Sequence, residues 1–143
     1  MTPHFKTLGE IMITNTLWAT ESASAYAVAV RLLENSFQGL PVLDRSGNVV
    51  GKVTEMDLLQ TLKAGRDIEK TRVDEIMALA PPVVNTETSL EQAVEIMDAH
   101  RLIRLPVIKG NRFIGSVNRH DLLRAWLGVW VDHERGNYAE IIG

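Results

Sequence analysis

One succession of short motifs occurs twice in this chain, in the same order and at nearly constant spacing. Each motif recurs 64 or 65 residues further along the 143 residues. The pairs are Ile11-Met12 with Ile76-Met77, Leu40-Pro41-Val42 with Leu105-Pro106-Val107, Gly51-Lys52-Val53 with Gly115-Ser116-Val117, and Asp57-Leu58-Leu59 with Asp121-Leu122-Leu123. Such self-similarity indicates two copies of one supersecondary unit, each too small for a large core of its own.

Both copies have the hydrophobic spacing of a strand, a helix, two strands and a second helix. Apolar residues at i, i+3, i+4 and i+7 predict the first helix, and turns rich in Gly and Asn separate the two strands that follow. The elements predicted in the first copy are strand 17–19, a helix within 25–33, strands 40–43 and 49–54, and helix 55–62. Those predicted in the second copy are strand 83–84, a helix within 90–97, strands 105–108 and 113–118, and helix 119–127.

The first helix of each copy is preceded by residues that can cap it. In the second copy Thr88 is followed three residues later by Glu91, which predicts a capping box. In the first copy either Ser22 or Ser24 can serve as the N-cap.

The repeat and the charge pattern together predict the domain organisation. Repeat 1 covers 8–62 and repeat 2 covers 76–127, and we expect the two to share a core as one pseudo-symmetric unit. Residues 63–75 are charged and lack an apolar stripe, which indicates a linker. Residues 128–143 match neither copy and are expected to form a C-terminal arm or helix.

Composition excludes several classes of protein. The absence of cysteine excludes disulfides, thiolate metal sites and a cysteine nucleophile. Fifteen basic against eighteen acidic residues give a net charge of −3, without the basic excess of a nucleic-acid surface. The four histidines lack the spacing of metal ligands, and no phosphate-binding glycine motif is present. Without a membrane span or a recognisable secretory signal, we expect a cytoplasmic protein.

The motif order resembles a known family. Ile-Met, an amphipathic helix, Leu-Pro-Val and Gly-x-Val-Thr-x-x-Asp-Leu-Leu are similar to the cystathionine-β-synthase (CBS) domain, and two in tandem over roughly residues 8 to 127 resemble a CBS pair. The resemblance implies an α+β fold of two pseudo-symmetric βαββα units packed through their sheets, with two clefts. It also implies a non-catalytic regulatory module that binds AMP, ADP, ATP or S-adenosylmethionine, requires no other cofactor, and forms homodimers.

The resemblance places a ribose at a Ser or Thr that is followed three residues later by Asp. The matching residues are Thr54 and Asp57 in the first copy and Asn118 and Asp121 in the second, where Asn replaces Thr. A carboxylate can accept hydrogen bonds from two adjacent hydroxyls, and such charge-assisted bonds are strong. The same spacing is also that of a helix capping box, which needs no ligand.

For the phosphates the resemblance implies Arg104, Arg119 and His120 of the second copy, and solvated surface residues are the alternative explanation. The first copy has Gly39 and Glu55 where the second has Arg104 and Arg119. An apolar slot for the purine is also implied, although each candidate taken alone is better explained as core. These candidates are Thr16, Leu17, Leu40, Pro41, Pro82, Val83, Leu105 and Pro106.

Two functions remain from the sequence. The first is an energy-sensing module that binds an adenosine-containing ligand in the cleft between the repeats and signals to a regulated partner protein. The second is a ligand-free dimerisation or scaffold module with vestigial clefts. An enzyme ranks below both because no set of catalytic residues is present.

Overall fold

The structure, a computed structural model, describes residues 1–11, 13–132 and 137–140. The chain divides into two compact units. The first-repeat unit contains residues 17–81 and 111–113, and the second-repeat unit contains residues 1–16, 82–110 and those from 114 onwards. Each has its own sheet and helices, so the predicted α+β class with two βαββα repeats is confirmed. The buried residues form one core cluster in each unit and not the expected shared core.

The first-repeat unit is a four-stranded sheet with two helices. Its strands lie in the order β1-β2-β3-β4, with β1 parallel to β2 and the other neighbours antiparallel. Buried side chains of α1, including Val28 and Leu32, pack with Val42 and Val53 of the sheet. The elements are β1 (Ala19–Thr20), α1 (Ala25–Asn35), β2 (Gly39–Leu43), β3 (Val49–Thr54), α2 (Glu55–Lys63) and β4 (Ala78–Leu79).

The second-repeat unit repeats this plan around a three-stranded sheet in the order β5-β6-β7, with β5 parallel to β6. Its elements are β5 (Val84–Asn85), α3 (Leu90–Ala99), β6 (Arg104–Lys109), β7 (Arg112–Asn118) and α4 (Arg119–Leu127). Where the sequence suggested an arm or a helix, β8 (Val129–Asp132) and β9 (Asn137–Glu140) pair as antiparallel strands. Residues 133–136 and 141–143 of that segment lie outside the described residues.

The first residues of each repeat, together with the segment before them, belong to the unit built from the other repeat. The chain passes from one unit to the other between Thr16 and Leu17, and again between Pro81 and Pro82, 65 residues later. Leu8 is fully buried in the second-repeat core, and Val73 is fully buried in the first-repeat core. The compact units therefore do not follow the boundaries of the sequence repeats.

Matching backbone hydrogen bonds hold these two segments. In the second-repeat unit Leu8 N–H donates to the Thr88 carbonyl at 3.0 Å, and Leu90 N–H donates to the Lys6 carbonyl at 3.1 Å. In the first-repeat unit Val73 N–H donates to the Ala23 carbonyl and Ala25 N–H donates to the Thr71 carbonyl, at 2.8 Å each. Each of these four residues is offset by 65 from its counterpart in the second-repeat unit. The residues expected to be only a linker thus form part of the first-repeat unit, with Ile68 packed against its core.

The helix caps correct one prediction and decide another. The α3 capping box is formed by Ser89 with Gln92, and not by Thr88 with Glu91. Thr88 is instead used in the preceding turn, where its hydroxyl accepts a hydrogen bond from Asn85 N–H at 3.1 Å. For α1 the N-cap is Ser24, whose hydroxyl accepts from Ala27 N–H.

Truncation of Leu8 tests the assignment of the N-terminal segment. Leu8→Ala is expected to lower the free energy of unfolding by about 2–5 kcal/mol, the usual cost of truncating a buried leucine. Leu33→Ala on α1 is the control, because Leu33 is 75% exposed and Ala favours a helix. Urea denaturation of both variants measures the difference. Equal, small losses would show that the segment does not contribute to a core.

Candidate functional site

The first repeat presents a carboxylate at the junction of β3 and α2. Thr54 is the N-cap of α2, and its hydroxyl accepts a hydrogen bond from Asp57 N–H at 3.2 Å. In return, Asp57 Oδ2 accepts from Thr54 N–H at 2.8 Å and from the Thr54 hydroxyl at 3.0 Å. The capping box predicted at this spacing is therefore present.

Capping uses one of the two carboxylate oxygens of Asp57. Among the described residues, the hydrogen bonds to this side chain all end on Oδ2. The adjacent side chains of Glu55 and Met56 are exposed, and Asp57 itself is partly exposed. Oδ1 can therefore accept hydrogen bonds from a ligand while the cap stays intact. The two interpretations of the motif are compatible in the first repeat.

In the second repeat both carboxylate oxygens are engaged. Asn118 caps α4 by accepting from Asp121 N–H at 2.8 Å, and Asp121 Oδ2 accepts from Asn118 N–H at 2.9 Å. Asp121 Oδ1 accepts from the Arg124 guanidinium at 2.8 Å, and the two residues form an ion pair one helical turn apart. The sequence analysis missed Arg124. The signal in the sequence is the residue three positions after each Asp, which is Gln60 in the first repeat and Arg124 in the second.

Arg104 lies close to the same carboxylate. It is the first residue of β6 and is partly buried, and this burial lowers the pKa of its guanidinium while the negative charge of Asp121 acts in the opposite direction. The first repeat has Gly39 here, and a Cβ added to it would lie 2.9 Å from the Val53 carbonyl oxygen. The backbone at Gly39 is therefore too close to β3 for a basic side chain without a shift.

Arg119 and His120, at the start of α4, are both exposed. Arg119 lines an apolar groove of about 670 Å³ between α3 and α4 of the second-repeat unit, which the sequence analysis did not anticipate. The other residues that line this groove are Val94, Met97, Asp98, Arg101, Leu102, Ile103, Leu122, Leu123 and Trp126. The sequence signal for this groove was the pair of apolar residues Val94 on α3 and Leu123 on α4, both of which are exposed.

The candidates for a purine slot fall into two groups. Leu40, Pro41, Leu105 and Pro106 are buried within the sheets, and Leu40 and Leu105 belong to the two core clusters. Thr16 and Val83 are exposed, while Leu17 and Pro82 are partly buried. The residues of the second group lie where the chain passes from one unit to the other. Of the eight candidates, these four are the ones that solvent reaches.

Metal and membrane sites were also considered. Among the described residues, no group of three or more His, Asp or Glu side chains could hold a metal ion. None of the helices within the described part of the chain is long and apolar enough to cross a membrane.

Comparison with known proteins identifies the family of the chain. The model of the CBS domain matches residues 8–64 and 73–128, so the chain belongs to the CBS domain family. Arabinose 5-phosphate isomerase KdsD of Pseudomonas aeruginosa is 34% identical over 98 residues, which are 66% of this chain and 30% of that enzyme. The chain thus spans less than a third of that relative.

Two solved structures are similar over most of this chain. CBSX2 in complex with AMP is 30% identical, with a TM-score of 0.71, and the match covers 83% of this chain and 94% of that one. Hypoxic Response Protein I with two coordinated zinc ions is 25% identical, with a TM-score of 0.74, and the match covers 82% and 97%. Members of this family with tandem CBS domains act as regulatory modules.

Proposed function

We propose that this protein is a regulatory sensor that binds an adenosine-containing ligand and signals to a partner protein. The observation that carries the proposal is the Thr54–Asp57 turn, in which Asp57 Oδ1 remains open while Oδ2 caps α2. An ionised oxygen with two lone-pair directions suits the 2′- and 3′-hydroxyls of a ribose. The AMP bound to CBSX2 supports an adenine nucleotide as the ligand class.

The basic side chains that we propose for the phosphates of a nucleotide belong to the second repeat. Arg104, Arg119 and His120 occur there, and the first repeat has Gly39, Glu55 and Met56 at the matching positions. The positive end of the α4 dipole also favours an anion near His120, while the Arg119 N–H itself donates to the Ile103 carbonyl at 3.2 Å. In this proposal Asn118 and Asp121 belong to the same region, and S-adenosylmethionine, which lacks phosphate, would not use these charges.

Association into a homodimer is part of the proposal. The last helix of each repeat exposes large apolar side chains, among them Leu59 and Leu62 of α2 at 57% and 49%, and Leu123 and Leu127 of α4 at 60% and 47%. Exposed apolar patches of this kind favour protein–protein contact. A ligand that binds one arrangement of the dimer more tightly would raise the population of that arrangement. In this proposal, the change of population is the signal to a regulated protein in the cytoplasm. A ligand-free scaffold would dimerise in the same way without this shift.

A thermal-shift series separates the sensor from the scaffold. AMP, ADP, ATP and S-adenosylmethionine are each added above 100 μM, and at least one should raise the melting temperature because it binds the folded state. Native mass spectrometry of the same samples reports the number of chains and of bound ligands. No shift with any of the four compounds would favour the scaffold.

Removal of the open carboxylate tests the ribose site. Asp57→Ala is expected to weaken adenosine binding by about 2 kcal/mol, the range for hydrogen bonds to a charged group. Its folding stability should fall by only about 1 kcal/mol, from loss of the acid at the helix start. Ser24→Ala is the matched control, since it removes the N-cap of α1 in the same unit. Normal adenosine affinity in Asp57→Ala, measured by calorimetry, would leave only the capping role.

The charge at Arg104 is tested with two ligands. Arg104→Ala should weaken ATP binding more than adenosine binding, because only the phosphates use the guanidinium. The loss should shrink at high salt, since the screening length falls from about 10 Å at 0.1 M to about 3 Å at 1 M. Arg45→Ala in the turn between β2 and β3 changes the net charge equally and serves as control. Equal losses for ATP and adenosine would exclude a phosphate contact.

A further inference from the structure

Arg124 and Gln60 occupy matching positions, 64 residues apart and one helical turn after the carboxylate of each repeat. Arg124 binds Asp121 Oδ1 at 2.8 Å, and the two side chains are 28% and 17% exposed. This ion pair is more shielded from water than Arg66–Glu75, whose side chains are 43% and 47% exposed. Within the described part of the chain, Gln60 makes no comparable bond to Asp57.

This difference decides what each carboxylate can accept. A ribose diol must donate two hydrogen bonds, and Asp57 Oδ1 has the free lone pairs for them. In the second repeat, a diol must first displace a guanidinium from Asp121 Oδ1. A hydroxyl and a guanidinium both make charge-assisted bonds to a carboxylate, but the guanidinium adds the attraction between opposite charges, which a neutral diol lacks.

We propose that Arg124 closes the sugar site of the second repeat, so that each chain binds one ribose, at Asp57. Arg124 is then the residue that determines which repeat binds the sugar. Gln60 is its neutral counterpart, which leaves the Asp57 carboxylate of the first repeat accessible to a ribose. The inference rests on the proposed function and specifies its stoichiometry. The neighbouring charges agree with it, since Arg104 and Arg119 accompany Arg124 in the second repeat where the first has Gly39, Glu55 and Gln60.

The test exchanges the two residues, each for the one that the chain already carries at the matching position. Adenosine is the probe because it offers the diol without a phosphate. By calorimetry on the full chain, wild type should bind one adenosine per chain. Arg124→Gln should bind two, because Asp121 Oδ1 is released. Gln60→Arg should lose affinity at the first site by about tenfold or more, the effect of losing hydrogen bonds to a charged group.

Three controls keep the result specific. Arg124→Lys retains a cation and should stay at one adenosine per chain. 2′-Deoxyadenosine lacks one of the two hydroxyls and should bind more weakly than adenosine at the site opened in Arg124→Gln. The melting temperature without ligand verifies that each variant is folded. Each substitution lies on the exposed or partly exposed side of a nine-residue helix.

The outcomes separate this inference from the proposed function. One site in wild type, two in Arg124→Gln and weakened binding in Gln60→Arg would support it. Two equal sites in wild type, or one site unchanged in both exchange variants, would overturn the role of Arg124 while adenosine binding itself stands. If wild type and Arg124→Gln both fail to bind adenosine at millimolar concentration, the proposed function and the inference are overturned together.

Discussion

The structure depends on the exchange of segments between the repeats. Each βαββα body is completed by the residues that precede the other body in the chain, with Leu8 in one core and Val73 in the other. Burial of one leucine contributes about 1.5–3 kcal/mol, a large part of the stability of so small a unit. The second-repeat unit needs residues 1–16, which include the start of the first repeat, and the first-repeat unit continues to Pro81, inside the second repeat. Neither repeat is therefore a folding domain as its sequence boundaries define it.

A glycine in each repeat makes this exchange possible. Gly51 of β3 and Gly115 of β7 belong to the repeated Gly-x-Val motif, and the incoming segment passes directly over them. A Cβ at Gly51 would meet the Met77 side chain and lie 3.0 Å from the Ala78 carbonyl oxygen. A Cβ at Gly115 would meet Ile13 and lie 2.9 Å from the Asn15 carbonyl oxygen, and its φ of +152° adds a second requirement for glycine. The motif is thus explained by packing, without reference to a ligand.

The sequence allowed prediction of what is periodic or repeated. The four helices and the central strands follow from apolar spacing and from the offset of 64 or 65 residues. It did not allow prediction of the role of 63–75, since Ile68 and Val73 are too few and too irregularly placed to form a stripe. The α3 cap was wrong by one residue because Thr88-x-x-Glu91 and Ser89-x-x-Gln92 overlap, and a turn bond from Asn85 decides between them.

The same capping motif leaves the aspartate in a different state in each repeat. In both repeats Oδ2 of the aspartate accepts from the N-cap backbone, so folding alone requires the acid at this spacing. A ligand depends on Oδ1, which the motif residues do not control. Whether Oδ1 already holds a hydrogen bond depends on the residue one helical turn later. This residue is Gln60 in the first repeat and Arg124 in the second, where it binds Oδ1. In the proposed function, the capacity to bind a ribose therefore depends on a residue outside the motif, while the motif itself forms the cap.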